Sequence, residues 1–173
     1  MAVVATGFFD GVHLGHRKVI ETLVSSARER GEEAIVVTFA QHPRLVLGQD
    51  AEALRMLTTQ EEKTALLKGL GVDRVEVVNF TKEFASLTAF EYLREVVKAR
   101  FGATAIVLGY DTRIGSDRQT VEGIRSLATA LGLEVICCEA VGGISSTKIR
   151  KALAEGRIAD AEHMLGHKIQ STI

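Results

Sequence analysis

Cysteine is scarce in this chain of 173 residues: Cys137 and Cys138 are the whole supply. They are neighbours in an apolar run from Glu134 to Val141. Adjacent side chains on a strand point to opposite faces, so the two do not bridge each other. With no CxxC spacing, a disulfide framework is excluded and a thiolate zinc site lacks its ligands. Both are expected as buried structural thiols, with a reducing cytoplasm as the setting. Proline is scarcer still, with Pro43 alone, placed in a loop where it breaks no element. Neither sign of charge prevails, since 21 Lys and Arg stand against 22 Asp and Glu. Sequence-independent nucleic-acid binding needs a strong basic surplus, so no nucleic-acid partner is expected. No apolar stretch approaches the roughly 20 residues that span a bilayer, so no membrane partner is expected either. Strand-like sequence from residue 2 and the glycine turn behind it lack the layout of a secretory leader. Repeats, low-complexity tracts and linkers are also missing.

What remains is an ordinary composition, 46% hydrophobic and 25% charged, long enough for one domain spanning 1–173. Five β-branched runs read as strands: Val3 to Phe9, Ala34 to Phe39, Val75 to Phe80, Ala105 to Leu108 and Leu133 to Cys138. They are mostly unbroken by polar alternation, as in a sheet covered on both faces. Helices are expected between them. His16 to Arg30 stops at Gly31, and Thr59 to Leu70 opens on the capping box Thr59-x-x-Glu62. Thr88 to Arg100 repeats that box with Glu91. Thr120 to Leu131, Ser146 to Glu155 and Ile158 to Leu165 complete the set. Strands alternating with such helices predict an α/β fold, a Rossmann-like open parallel sheet flanked by helices on both faces. Ligands of such sheets bind beyond the carboxyl ends of the strands. The segments Gly7 to His16, Ala40 to Arg44, Gly109 to Arg118 and Gly142 to Ser146 all follow strands, and so converge on one edge.

His13-Leu14-Gly15-His16 lies at a strand-to-helix junction, where unpaired backbone N–H groups attract phosphate. The histidines add donors whose pKa ordinarily lies near neutral pH. Gly11 allows a tight turn, and Gly15 removes a side chain where backbone and phosphate approach. The segment from Gly7 through Phe8, Phe9 and Asp10 to His16 lacks the dinucleotide GxGxxG order and the P-loop GK[ST] ending. Its chemistry is that of steadying a departing pyrophosphate without a covalent intermediate. The plainer alternative has the glycines serving the turn and the histidines capping the helix. Near the other end, Ser145-Ser146-Thr147 opens a helix whose hydroxyls cap it or hold phosphate, with Arg150 one turn on. Lys148 falls on another side and is expected in solvent.

The two segments together resemble the HxGH nucleotidylyltransferase superfamily with its ISSTxIR-like second motif. Gly7-Phe8-Phe9-Asp10-Gly11-Val12-His13 is similar to the GxFDGVH opening of bacterial FAD synthetases. Thr38-Phe39-Ala40-Gln41-His42-Pro43-Arg44 is similar to their TFxxHP loop, and Leu57-Thr58-Thr59 with Glu62-Lys63 to their LTTxxEK helix start. The likeness runs to about Leu165-Gly166-His167 and covers the FMN adenylyltransferase half, without a riboflavin kinase domain. It implies AMP transfer from ATP to FMN, giving FAD and pyrophosphate by in-line attack. His13, His16 and Arg150 would be the catalytic groups. Gly7, Phe8, Phe9, Asp10, Gly15, Asp111, Ser145, Ser146 and Thr147 would hold the nucleotide. His42, Pro43, Arg44, Tyr110 and Ile114 would border the flavin, and Mg2+ would arrive on the ATP phosphates.

Three departures qualify the likeness. Thr112 and Ile114 stand where the family's GxDFxFG loop carries aromatics, and Gly143 stands where a basic residue is common. These keep open a nucleotidylyltransferase with another phosphorylated acceptor, or an idle nucleotide- or flavin-binding module. Elsewhere, Phe80, Phe84, Phe90 and Phe101 are expected in the core. His163 and His167 are expected to be solvated or capping, and Asp117-Arg118 a solvated loop pair.

Overall fold

A computed structural model of the chain describes residues 1–40, 57–110, 112–139 and 144–168. Five strands form one parallel sheet: β1 (Ala2–Thr6), β2 (Glu33–Phe39), β3 (Arg74–Val78), β4 (Ala103–Gly109) and β5 (Glu134–Cys138). Their order is β3-β2-β1-β4-β5. The chain builds outward from β1 to β3, then crosses to the other side of β1 for β4 and β5. That reversal leaves a crevice at the carboxyl ends of β1 and β4, the usual ligand position in such sheets.

Helices cover both faces, as the unbroken apolar strands predict. Alternate residues of each strand feed two separate cores. On one face Val3, Ala5, Val36 and Val107 pack with Val19, Ile20 and Leu23 of α1 (Leu14–Arg30) and Leu67 of α2 (Gln60–Gly69). On the other, Val4, Ile35, Val37 and Ile106 meet Leu93 and Val97, together with Ile124 of a helix spanning Val121–Ala130. A smaller cluster joins Leu57 and Ile149 to Ala161 and Leu165. Among the described residues no helix is long and apolar enough to cross a membrane.

Several boundaries differ from the sequence expectation. β1 ends at Thr6: the Gly7 amide still donates to the Val37 carbonyl at 3.1 Å, but the chain then turns away and Phe9 takes a left-handed φ of 55°. β3 stops at Val78, which pairs with the last residue of β2, so Asn79 and Phe80 lie beyond the end of the strand pairing. A short helix missing from the expectation, α3 (Lys82–Ala85), follows and is capped by Thr81. The segment read as one helix from Thr88 begins as α4 (Ala89–Tyr92) on its capping box, then winds as a π-helix over Leu93–Arg100. Apolar spacing does not separate those two bonding patterns. The Val121–Ala130 helix is α5, followed by α6 (Ser146–Ala154) and α7 (Ile158–Leu165). Cys138 is buried as expected, but Cys137 is exposed, because β5 is an edge strand and alternate residues face outward.

Candidate active site

The turn after β1 is tightly wound. Phe9, Gly11 and Val12 all have positive φ, at 55°, 84° and 44°. A β-branched residue such as Val12 adopts that region only under constraint. Any side chain on Gly11 would also collide with Leu57, its Cβ falling 2.8 Å from Leu57 Cδ1.

The turn delivers His13 to the start of α1. There the two histidines cap the helix reciprocally: the His16 amide donates to His13 Nδ1 at 3.2 Å, and the His13 amide to His16 Nδ1 at 3.3 Å. Their rings stack at 3.5 Å between centroids, and Phe9 meets His16 edge-on. Gly15 makes room for this pair, since a Cβ there would lie 2.9 Å from the His13 ring. Capping and ligand binding are thus compatible. With each Nδ1 accepting an amide proton, the neutral ring carries its own proton on Nε2.

Burial holds both rings neutral, which corrects the expectation of pKa values near neutrality. Desolvation lowers His13 to about 4, its own amide contact opposing and the Arg150 charge adding. His16 is pushed well down by desolvation, then by the charges of His13, Lys63 and Arg150.

Asp10 ties this turn to the far end of the sequence. It is 4% exposed, and its Oδ1 accepts from the amides of Leu57 (2.8 Å) and Thr58 (3.3 Å). Its other oxygen pairs with Arg150. Burial pushes the Asp10 carboxyl up, while Arg150 and the two amides pull it back. Ser146 Oγ donates to the Asp10 carbonyl at 3.0 Å, and Ser145 Oγ caps α6 by accepting from the Lys148 amide at 3.2 Å. The two motifs, more than a hundred residues apart in sequence, therefore meet.

They meet at a cavity of about 1050 Å3 over the carboxyl ends of the strands. Of the expected site residues, Gly7, Phe8, Phe9, His13, Gly15, His16, Tyr110, Ile114, Ser145 and Ser146 line it. Asp10, Thr147 and Arg150 are not among its lining residues. Asp10 and Arg150 instead form the brace behind it, and Thr147 is exposed. His42, Pro43, Arg44, Asp111 and Gly143 lie outside the described residues. Lys148 is exposed but lines the cavity, together with Arg113, Arg118 and Glu139.

The rest of the wall is aromatic. Of the chain's seven phenylalanines and two tyrosines, all but Phe90 and Phe101 line this cavity. Phe39, Phe80, Phe84 and Tyr92 contact one another edge-to-face at centroid distances of 5.1 to 6.0 Å. Tyr92 is buried, which pushes its phenol pKa up, and its hydroxyl shares a 2.6 Å hydrogen bond with Thr6 Oγ1. Phe80 and Phe84, expected in the core, are partly buried against it and line the cavity as well. Their place beside β3 was the available signal, because that strand's carboxyl end shares the edge of the other four.

Two other expectations change. His167 is not simply solvated: its Nε2 lies 2.7 Å from the Gly11 carbonyl, so the segment after α7 folds back on the turn that follows β1. Asp117 is fastened too, accepting from the Ala89 amide at 3.0 Å to cap α4.

The sequence matches the family described as FAD synthetase over residues 1–152. It is 35% identical over 173 residues to the bifunctional riboflavin kinase/FMN adenylyltransferase of Escherichia coli K12, covering 95% of this chain and 54% of that protein. It is 31% identical to a Listeria monocytogenes FAD synthetase, covering 96% of this chain and 69% of that one. Thus the chain spans about half the length of several curated relatives it matches. Among solved structures, a Streptococcus pneumoniae protein titled a macrolide-efflux protein superposes with a TM-score of 0.88. The two are 34% identical, over 97% of this chain and 56% of the other.

Proposed function

The chain belongs to the FAD synthetase family, a family of nucleotidyltransferases, and from that premise we propose that it transfers AMP from ATP to FMN. An FMN phosphate oxygen attacks the α-phosphorus of ATP in line. The new P–O bond forms as the bond from the α-phosphorus to the β-phosphate bridging oxygen breaks, giving FAD and pyrophosphate. No covalent enzyme intermediate is needed.

The observation that carries this reading is the composition of one cavity wall: two neutral imidazoles beside a helix start, facing a cluster of aromatic rings. His13 and His16 each offer an Nε2 proton to the charge that builds on the departing pyrophosphate. Donors fixed in place before reaction cost no reorganisation when that charge appears. Amides at the start of α6 and the Ser145 hydroxyl add further phosphate donors, while Ser146 spends its proton on the Asp10 carbonyl and fastens α6 to the turn. Arg150 holds Asp10 and keeps the turn and α6 in register. ATP enters as its magnesium complex. Among the described lining residues Glu139 is the sole carboxylate, which suits a metal brought on phosphate oxygens rather than caged by protein. The aromatic wall suits a planar ring such as isoalloxazine.

Incubation with FMN and MgATP, with FAD and pyrophosphate quantified together, tests this. Stoichiometric formation of both is expected, and absence of both overturns it. Thr112 and Ile114 on the cavity wall favour a second reading, a different phosphorylated acceptor. Pyrophosphate release with another acceptor but not with FMN would select it.

A further inference from the structure

Lys63 occupies a position that the amphipathic pattern of α2 assigns to an apolar residue. It shares the inner face of the helix with Leu67, one turn on, and is 2% exposed. A buried ammonium carries a desolvation cost and persists only where partners hold it. Here Nζ donates to the Phe8 carbonyl at 2.9 Å and to Thr38 Oγ1 at 3.0 Å, and it sits 3.9 Å over the Phe8 ring. Thr38 Oγ1 donates to the same carbonyl at 2.9 Å. Two donors from different elements therefore converge on one acceptor, immediately before the first left-handed residue of the phosphate turn, Phe9. Strained backbone of this kind persists only when its surroundings over-determine it.

We infer that Lys63 is a positioning residue of the transfer site: its ammonium, through the Phe8 carbonyl and Thr38, locks the turn that presents His13 and His16, and sets a positive charge behind the polyphosphate. The inference rests on the transfer reaction proposed above. Lys63 does not line the cavity itself, so it acts through the groups that do.

The charge is not fixed at every pH. Burial lowers the Lys63 pKa to about 8, with the Asp10 charge opposing. The ionisable groups facing it are Asp10 from the turn and His16 from α1, while Thr38 from β2 does not titrate. On its own helix, Glu62 is engaged by the Thr59 amide. As pH rises through the Lys63 value, the ammonium is lost and the turn loses its lock. Activity is therefore expected to fall on the alkaline side in the free enzyme, the state that kcat/KM reports.

The test compares the native chain with K63M and K63R from about pH 6.5 to about 9.5, a range that brackets the alkaline limb. Two quantities are measured: kcat and KM for MgATP, and calorimetric affinity for the magnesium complex of α,β-methylene ATP. K63M is expected to lose about 100-fold in kcat/KM, mostly in kcat, the scale of a small misplacement of reacting groups. K63R keeps a charge at all these pH values, so its alkaline limb should disappear. An unchanged limb in K63R, or near-native kcat in K63M, overturns the inference, since a merely structural lysine would leave the pH profile alone. Should neither variant fold, the native chain decides. A fall in analogue affinity of about tenfold or more across the range supports the role of Lys63, because each pH unit above its value of about 8 removes the charged form tenfold, and a flat affinity refutes it. If FMN gives no turnover while analogue binding retains the Lys63-dependent fall, the acceptor assignment fails and the positioning role stands.

Discussion

The two parts of the cavity wall are built in opposite ways. The side proposed to hold phosphate rests on a few polar groups, each held by named partners: paired imidazoles locked by backbone amides, an Asp10–Arg150 brace, and two serines at a helix start. The aromatic side is held by ring-to-ring contacts with the Tyr92–Thr6 hydrogen bond beside them, and gathers side chains from the ends of β2 and β3, from α3 and from α4. Directional contacts make the first side intolerant of change. Non-directional contacts make the second adaptable, so substitutions there are expected to alter which acceptor binds more than whether transfer occurs.

The strongest way to break that contrast is His16→Ala. Removing one prearranged donor to a developing oxyanion costs about 100- to 1000-fold in kcat. A loss of that size in pyrophosphate release is expected, with the variant still folded by circular dichroism. A loss below about tenfold would fall short of that range, and the imidazoles would then be caps alone.

Acid should separate the two sides next. His13 has a folded pKa of about 4 against an ordinary 6.5. Between those values the unfolded chain binds a proton that the folded chain refuses, so stability rises with pH across that window. Acidification from neutrality to pH 4 should therefore remove up to about 3 kcal/mol through this residue. His13→Asn retains a capping side chain but cannot titrate. Its urea midpoint should fall less steeply than the native one between about pH 6.5 and 4.5. Parallel acid slopes in the two proteins would show that His13 is not held neutral by the fold.

The same contrast explains what can be read before folding. The phosphate side is legible because its parts are local: histidines spaced to cap a helix, glycines where the chain must turn, serines before an amphipathic run. The layering of the sheet is legible too, since uninterrupted Val and Ile runs demand cover on both faces. The aromatic wall is not, because Phe39, Phe80, Phe84 and Tyr92 come from separate elements that only the β3-β2-β1 order brings together. Phe80 and Phe84 look like ordinary core residues in sequence, and the short capped helix that displays Phe84 has no long apolar period. Lys63 and His167 fall within segments that carry the family likeness, but their roles are not legible for a related reason: their partners include backbone carbonyls, Phe8 and Gly11, which leave no mark on sequence pattern.

The smallest expected effect lies on the aromatic side and probes that adaptability. Phe84 is half-buried, with Phe39, Phe80 and Tyr92 rings about it at 5.8, 5.8 and 6.0 Å. Phe84→Leu keeps an apolar side chain but removes the ring edges and faces. Aromatic pairs contribute about 0.5–1.5 kcal/mol beyond area burial, which corresponds to roughly two- to twelvefold in affinity. FMN KM should rise by that factor while ATP KM stays level, because the imidazoles and α6 are untouched. Steady-state titration of each substrate at saturating concentration of the other separates these outcomes. A matching rise in ATP KM would mean that the aromatic cluster supports the phosphate turn mechanically, through Phe9 and Phe8. The two sides would then be one coupled unit, and the contrast drawn between them would not hold.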